Sequence, residues 1–261
     1  MNRTAPLDIT GLGTVLSVWA HPDDETYLAG GLMAACAAAG QRVVCVSATA
    51  GEHGTADPVT WPPERLAHVR REETAAAMAV LGVTDHRFLG FEDGTLAAID
   101  PAVGVAAITD LIAEIHPDTI LTFGSDGMTF HPDHITIGAW TTTAWESAGR
   151  PGRLLHSTTT DEHVAAYRET YEEWGIFMTD DRPTGHPAAD LAVHMVLRGH
   201  QLERKLAALA AMASQTAEAI ATLQPEVWRA TNREECFVDA STAFSATLRS
   251  DSGTERRREA G

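Results

Sequence analysis

Cysteine, basic charge and long apolar runs are all scarce in this chain. There are 3 cysteines in 261 residues, an odd number without metal-ligand spacing, which argues against a disulfide framework or a cysteine-based zinc knuckle. Cys36 and Cys45 lie in apolar stretches and read as small buried hydrophobes, while Cys236 adds nothing to a pattern. Lys and Arg number 19 against 36 Asp and Glu, a formal charge of −17. Such a surface repels phosphate backbones and anionic lipid, so nucleic acid and membranes are poor partners. The greasiest stretch, "LAGGLMAACAAAG" (28–40), is too short to span a bilayer. The opening "MNRTAPLDIT" lacks the apolar core of a signal peptide. Reduced thiols and no targeting segment make the cytoplasm the expected compartment.

The chain has the length of one large α/β domain, expected over 1–247, with the polar tail 248–261 expected to be disordered. Short β-branched runs alternate with helical stretches. Strands are expected at 13–20, 42–49, 86–91, 119–124 and 153–160. Helices are expected at 24–39, 62–82, 100–115, 135–148 and 198–222, with 178–190 as a long loop. That alternation predicts a Rossmann-like, mostly parallel sheet with helices on both faces.

In such a sheet, ligands bind where the loops converge at the carboxyl ends of the strands. Three polar clusters fall there: "HPDDE" (21–25), "GEH" (51–53) and "GSDGMTFHPDH" (124–134). Histidines and acids from separate loops on one rim suit a metal site with three N or O ligands and an open position. His-Pro-Asp also occurs at 116–118, but between a helix and the next strand, on the opposite rim. His116 is therefore read as a helix C-cap. In the first cluster an N-cap explains one carboxylate, not a histidine followed by three acids. If the strand runs on, His21 and Asp23 face together; if the helix has begun, His21 and Asp24 do. Spacing leaves both open.

"AHPDDE" followed a hundred residues later by "HPDH" resembles the zinc-dependent PIG-L/LmbE-type N-deacetylases, which remove acetyl groups from N-acetylglucosamine compounds. "RREETAAAMAVLGV", "RFLGFEDGTL" and "EECFVDA" resemble family segments in the same order. The resemblance implies Zn2+ held by His21, Asp24 and His134, with iron or cobalt as possible occupants of the same set. It implies Asp23 as the general base toward the attacking water, and His131 as oxyanion donor and acid. Asp133 would orient a histidine, and Arg70 (with Glu73 in its motif) and Asp93 would hold sugar hydroxyls. A carboxylate beside His131, Asp133 or Glu52, is expected to raise its pKa. Thr129 and Phe130 stand where mycothiol-pathway relatives carry an aromatic hydroxyl and a glycine, so a phenol that helps polarise the carbonyl is missing.

The expected activity is therefore hydrolysis of the N-acetyl group of a small amino-sugar conjugate. An amidase acting on a mycothiol-type thiol conjugate would use the same residues. A sugar-binding protein without turnover would need neither a base nor an acid. A dinucleotide-binding fold fails, because the first βα turn is His-Pro-Asp-Asp rather than a glycine-rich cradle. A homo-oligomer is compatible with the sequence.

Overall fold

A strand that is apolar on both faces belongs in the middle of a covered parallel sheet, and Val15–Trp19 (β1) lies there with every residue buried. The computed structural model describes residues 9–240; the tail expected at 248–261 lies outside them. After β1 come Asp24–Ala38 (α1), Val43–Ser47 (β2), Pro63–Leu81 (α2), Asp85–Phe88 (β3), Pro101–Ile115 (α3), Thr119–Phe123 (β4), Pro132–Ser147 (α4) and Arg153–Thr158 (β5). Asp161–Trp174 (α5), Val193–Val196 (β6), His200–Ala211 (α6), Ala213–Thr222 (α7), Pro225–Thr231 (α8) and Glu234–Asp239 (β7) complete the order.

The seven strands run β3-β2-β1-β4-β5-β7-β6. The first five are mutually parallel, and β7 pairs antiparallel with both β5 and β6. Strand order therefore reverses between β1 and β4. A crevice opens at that switch point, outside the carboxyl ends of these two strands.

α1, α2 and α6 pack with one another, and α3 packs on α4. α1 is apolar nearly all round because it is sandwiched: β1 and β2 lie beneath it and α6 beside it. A buried ion pair fastens this junction. Lys205 Nζ lies 2.9 Å from Glu235 Oε1, with neither side chain exposed. Lys205 also donates to the Tyr27 carbonyl at 2.6 Å, and Glu235 accepts from the amides of Gly31 and Leu32 at 2.7 Å each. Lys205→Met leaves a buried carboxylate without its cation and is expected to cost about 3–5 kcal/mol, read as a lowered urea midpoint.

The structure departs from the sequence reading in four places. α4 starts at Pro132 rather than near 135, so "HPDH" forms the first turn of a helix. α5 falls where no helix is expected. Its charged and aromatic sequence hides its inward stripe, and it buries little beyond His163. The late helix is divided at Met212 into α6 and α7. β6, a short edge strand, and β7, which lies between it and β5, also fall where no strand is expected, and neither carries a long apolar run. His116 is the C-cap of α3, in the left-handed conformation with φ 51°. The three cysteines are buried and free. No helix among the described residues is long and apolar enough to cross a membrane.

Candidate metal centre

β1 ends at Trp19, and the chain turns through Ala20, His21, Pro22 and Asp23 into α1. Because the helix begins at Asp24, that residue sits one turn from His21 and faces it. The His21 amide donates to Asp24 Oδ2 at 2.8 Å. From across the switch point, the first turn of α4 brings His134. His21 Nδ1 and His134 Nε2 lie 3.1 Å apart, His134 Nε2 and Asp24 Oδ1 3.3 Å, and His21 Nδ1 and Asp24 Oδ2 3.6 Å. Ligands on a tetrahedral zinc at its usual bond lengths stand roughly 3.3–3.4 Å apart. Asp24 meets the two rings with different oxygens, and the four atoms together suit one small divalent ion.

The remaining ring nitrogens make the same point. His134 Nδ1 lies 2.9 Å from the Gly127 carbonyl, to which it can only donate, so its Nε2 is left with a lone pair. Gly127 takes φ +58°, and a Cβ there would stand 2.7 Å from His134 Cβ, so the close approach needs glycine. His21 Nε2 faces two carboxylates, Asp93 Oδ1 at 3.0 Å and Asp133 Oδ2 at 3.3 Å. With Nε2 donating, His21 Nδ1 can present a lone pair once its proton is released, as metal binding requires. Such carboxylate and carbonyl partners fix the tautomers of metal-binding histidines. Burial opposes charge on both rings. It takes His134 down to about 4, whereas Asp133, Asp93 and Asp24 overcome it at His21 and carry that ring up to about 10.

Asp133 is fully buried, accepting from the Gly94 amide at 2.8 Å and the Leu96 amide at 3.0 Å. Asp93 is 8 % exposed and accepts from the His53 amide at 2.9 Å. Glu52 accepts from the Asp93 amide at 3.1 Å, so it braces this loop rather than standing beside His131. Glu73 is also a brace, accepting from the Ser214 amide at 2.8 Å and its hydroxyl at 2.5 Å.

Asp23 occupies the N-cap of α1 without capping it. Its φ of 109° is a strained value for a residue with a side chain. Glu25 reaches back to its amide at 3.1 Å, leaving the Asp23 carboxylate to meet Arg70 Nη2 at 3.3 Å. Burial pushes Asp23 up to about 7, against the opposing pull of Arg70. Arg70, 4 % exposed, also donates to the carbonyls of Gly51 and Pro22, and its Nε is buried without a hydrogen-bond partner. Gly51 lies at φ +63°, and a Cβ on it would come within 2.2 Å of Arg70 Nη1. Gly51→Ala is expected to cost about 1–3 kcal/mol and to move the guanidinium away from Asp23. Urea unfolding and activity at unchanged metal content read the two effects separately.

His131 caps α4, its Nδ1 accepting from the Asp133 amide at 3.1 Å. Its ring centroid is 4.8 Å from that of His21 and 4.9 Å from that of His134. A ring nitrogen of each of these three histidines lies within 4.8 Å of the others. Burial and the charge of His21 hold His131 below its ordinary value, and the opposing effect of Asp133 is smaller. The expectation of a raised pKa is thus corrected: the carboxylate is spent on His21 and on two backbone amides. With Nδ1 accepting, neutral His131 still carries a proton on Nε2 that it can donate.

Sequence reasoning grouped the two motifs but missed the part played by Glu25. The signal was the third acid of "DDE", two residues beyond the cap. The Gly51 carbonyl was legible only as part of a polar rim cluster.

The PIG-L family, described as GlcNAc-PI de-N-acetylase, matches residues 16–145. A 1D-myo-inositol 2-acetamido-2-deoxy-alpha-D-glucopyranoside deacetylase of Actinosynnema mirum is 34% identical over 210 residues, covering 72% of this chain and 74% of that protein. The chain belongs to the PIG-L family. Membership makes it an enzyme of the N-deacetylase class. A protein of the same name from Kineococcus radiotolerans is 37% identical over 151 residues, which span 47% of this chain and 42% of that protein. Among solved structures, the N,N'-diacetylchitobiose deacetylase of Pyrococcus horikoshii superposes with a TM-score of 0.63 at 21% identity, covering 89% of this chain and 85% of that one. A 4-carboxy-2-hydroxymuconate hydratase from Pseudomonas putida also superposes, at 0.53 and 16% identity over 87% of this chain and 96% of that one. The fold alone therefore does not select the reaction.

Proposed function

We propose that this PIG-L family member hydrolyses the N-acetyl group of an N-acetylglucosamine-containing small molecule, with Zn2+ held by His21, Asp24 and His134. The observation that carries the reading is the triangle of 3.1, 3.3 and 3.6 Å among those three residues, their far ring nitrogens already committed as donors. A zinc ion supplies Lewis-acid activation of the attacking water and of the amide carbonyl.

The chain's own residues do the rest. Asp23 takes the proton of the attacking water. Burial raises this carboxyl above its ordinary value, against the pull of Arg70, which strengthens it as a base. Arg70 holds the carboxylate in place from behind. His131 donates from Nε2 to the oxyanion that develops on the acetyl oxygen, an interaction stronger in the transition state than in the ground state. The departing amine then collects the proton that Asp23 took from the water, since neutral His131 keeps its own. Asp93 and Asp133 orient His21. Arg70 and Asp93 are both more than nine-tenths buried, which leaves a sugar hydroxyl little of either side chain to reach.

The homologues' printed names support an amino-sugar substrate. Acetate release from a panel of N-acetylglucosaminides tests the reading. Turnover that a chelator abolishes and added zinc restores is the expected result. Tight sugar binding without acetate release, at full metal loading, would leave a binding protein instead.

A further inference from the structure

Beside Asp23, Asp24 and His134 the site opens into a cavity of about 730 Å3, in the upper part of the roughly 300–1,000 Å3 that holds drug-sized ligands. An amino sugar alone leaves most of that space unfilled. The walls come from α1 through Tyr27 and Leu28, from the loop before α4 through Met128, and from α5 and the segment after it through Trp174, Ile176 and Phe177.

The segment after α5 is tied to the site rather than loosely draped over it. The Met178 amide donates to the Thr129 carbonyl at 2.9 Å, and the His186 amide to the Thr159 carbonyl at 2.9 Å. Arg182 and Pro183, from the same segment, complete the cavity wall.

Several polar side chains of the wall are turned to one another. Arg182 pairs with Glu172, Nη2 to Oε2 at 2.7 Å, and lies 4.6 Å above the Phe177 ring. Glu235 is spent on Lys205 at 2.9 Å, and His163 Nε2 on the Tyr171 hydroxyl at 2.7 Å. Polar and charged side chains, among them Arg168, Glu173, Gln215, Glu218 and Asn232, also line the cavity, so polar groups can orient a ligand whose bulk meets the apolar wall.

We propose that the substrate is an N-acetylglucosaminide whose aglycone is bulky and apolar, an aromatic or aliphatic group filling this cavity. The proposal rests on the N-deacetylase reading and narrows its substrate class. A polyol such as inositol carries hydroxyls on every face, and those turned to Leu28, Met128 and Phe177 would lose water without gaining a partner. An alkyl or aryl group gains there instead, by a factor of roughly four for each methylene fully buried.

The test uses the zinc-loaded protein with the α-methyl, α-hexyl, α-phenyl and α-inositol glycosides of N-acetylglucosamine. Acetate release gives kcat/KM, and calorimetric titration with the corresponding glucosaminides, the deacetylated products, gives Kd. The hexyl and phenyl compounds should show a kcat/KM at least about tenfold higher, and a Kd at least about tenfold lower, than the inositol compound, with the kinetic difference in KM rather than kcat. Phe177→Ser should shrink the hexyl-to-methyl ratio by a factor of about five, while its far-ultraviolet circular dichroism stays unchanged. Equal constants across the series, or an inositol compound that wins, would overturn the proposal. If no glycoside releases acetate, the deacetylase reading fails, and the Kd series still decides whether the cavity prefers an apolar group.

Discussion

Replacing His134 by alanine is expected to strip metal and activity together. The proposed ligand set has three protein donors, and His134 is the only one supplied from beyond β4. Its removal leaves His21 and Asp24, a pair from one turn of chain, to hold a divalent ion alone. The neighbouring Gly127 carbonyl, 2.9 Å from Nδ1, loses its donor as well. Metal content by atomic emission should fall to background at micromolar zinc, and turnover should fall with it to the uncatalysed level. Thr129 lies 3.2 Å from the same ring but offers no comparable donor. A His134→Ala protein that keeps one tightly held zinc per chain would remove His134 from the ligand set.

Asp23→Asn is expected to keep the metal and lose roughly two to four decades of kcat, the usual effect of removing a positioned base. Asparagine has the same shape and can still meet Arg70, whose Nη2 stands 3.3 Å from Asp23 Oδ2, but it cannot accept the proton of the attacking water. Asp24→Asn should do the reverse, weakening metal affinity first, since its carboxylate faces both His21 and His134. KM should move little in the Asp23 variant. The opposite pattern across the pair would mean that the two carboxylates exchange roles.

Whether Asp23 or Asp24 shares a face with His21 was the question that the sequence left open, and one residue of helix decides it. With α1 beginning at Asp24, His21 and Asp24 share a face while Asp23 is turned toward Arg70. Periodicity could not place that boundary, because Asp23 holds a backbone angle that no propensity favours. The central βα units were legible because each pairs a buried apolar strand with a helix ended by glycine or opened by proline, as at Gly82 and Pro101. α5 and the antiparallel pair β6–β7 were not. Their burial depends on partners distant in sequence, such as the Lys205–Glu235 pair that ties β7 to α1 and α6. The buried positions of Arg70 and Asp93 were invisible for the same reason. The carbonyls of Gly51 and Pro22 and the amide of His53, which hold them, are backbone groups without a sequence signature.

One measurement bears on the central claim directly. Protein stripped of metal is titrated with zinc while acetate release from an N-acetylglucosaminide is followed. The account predicts a linear rise in rate that stops at one zinc per chain, with His21→Ala protein giving no rise at all. Full turnover in chelator-treated protein that binds no zinc would contradict it.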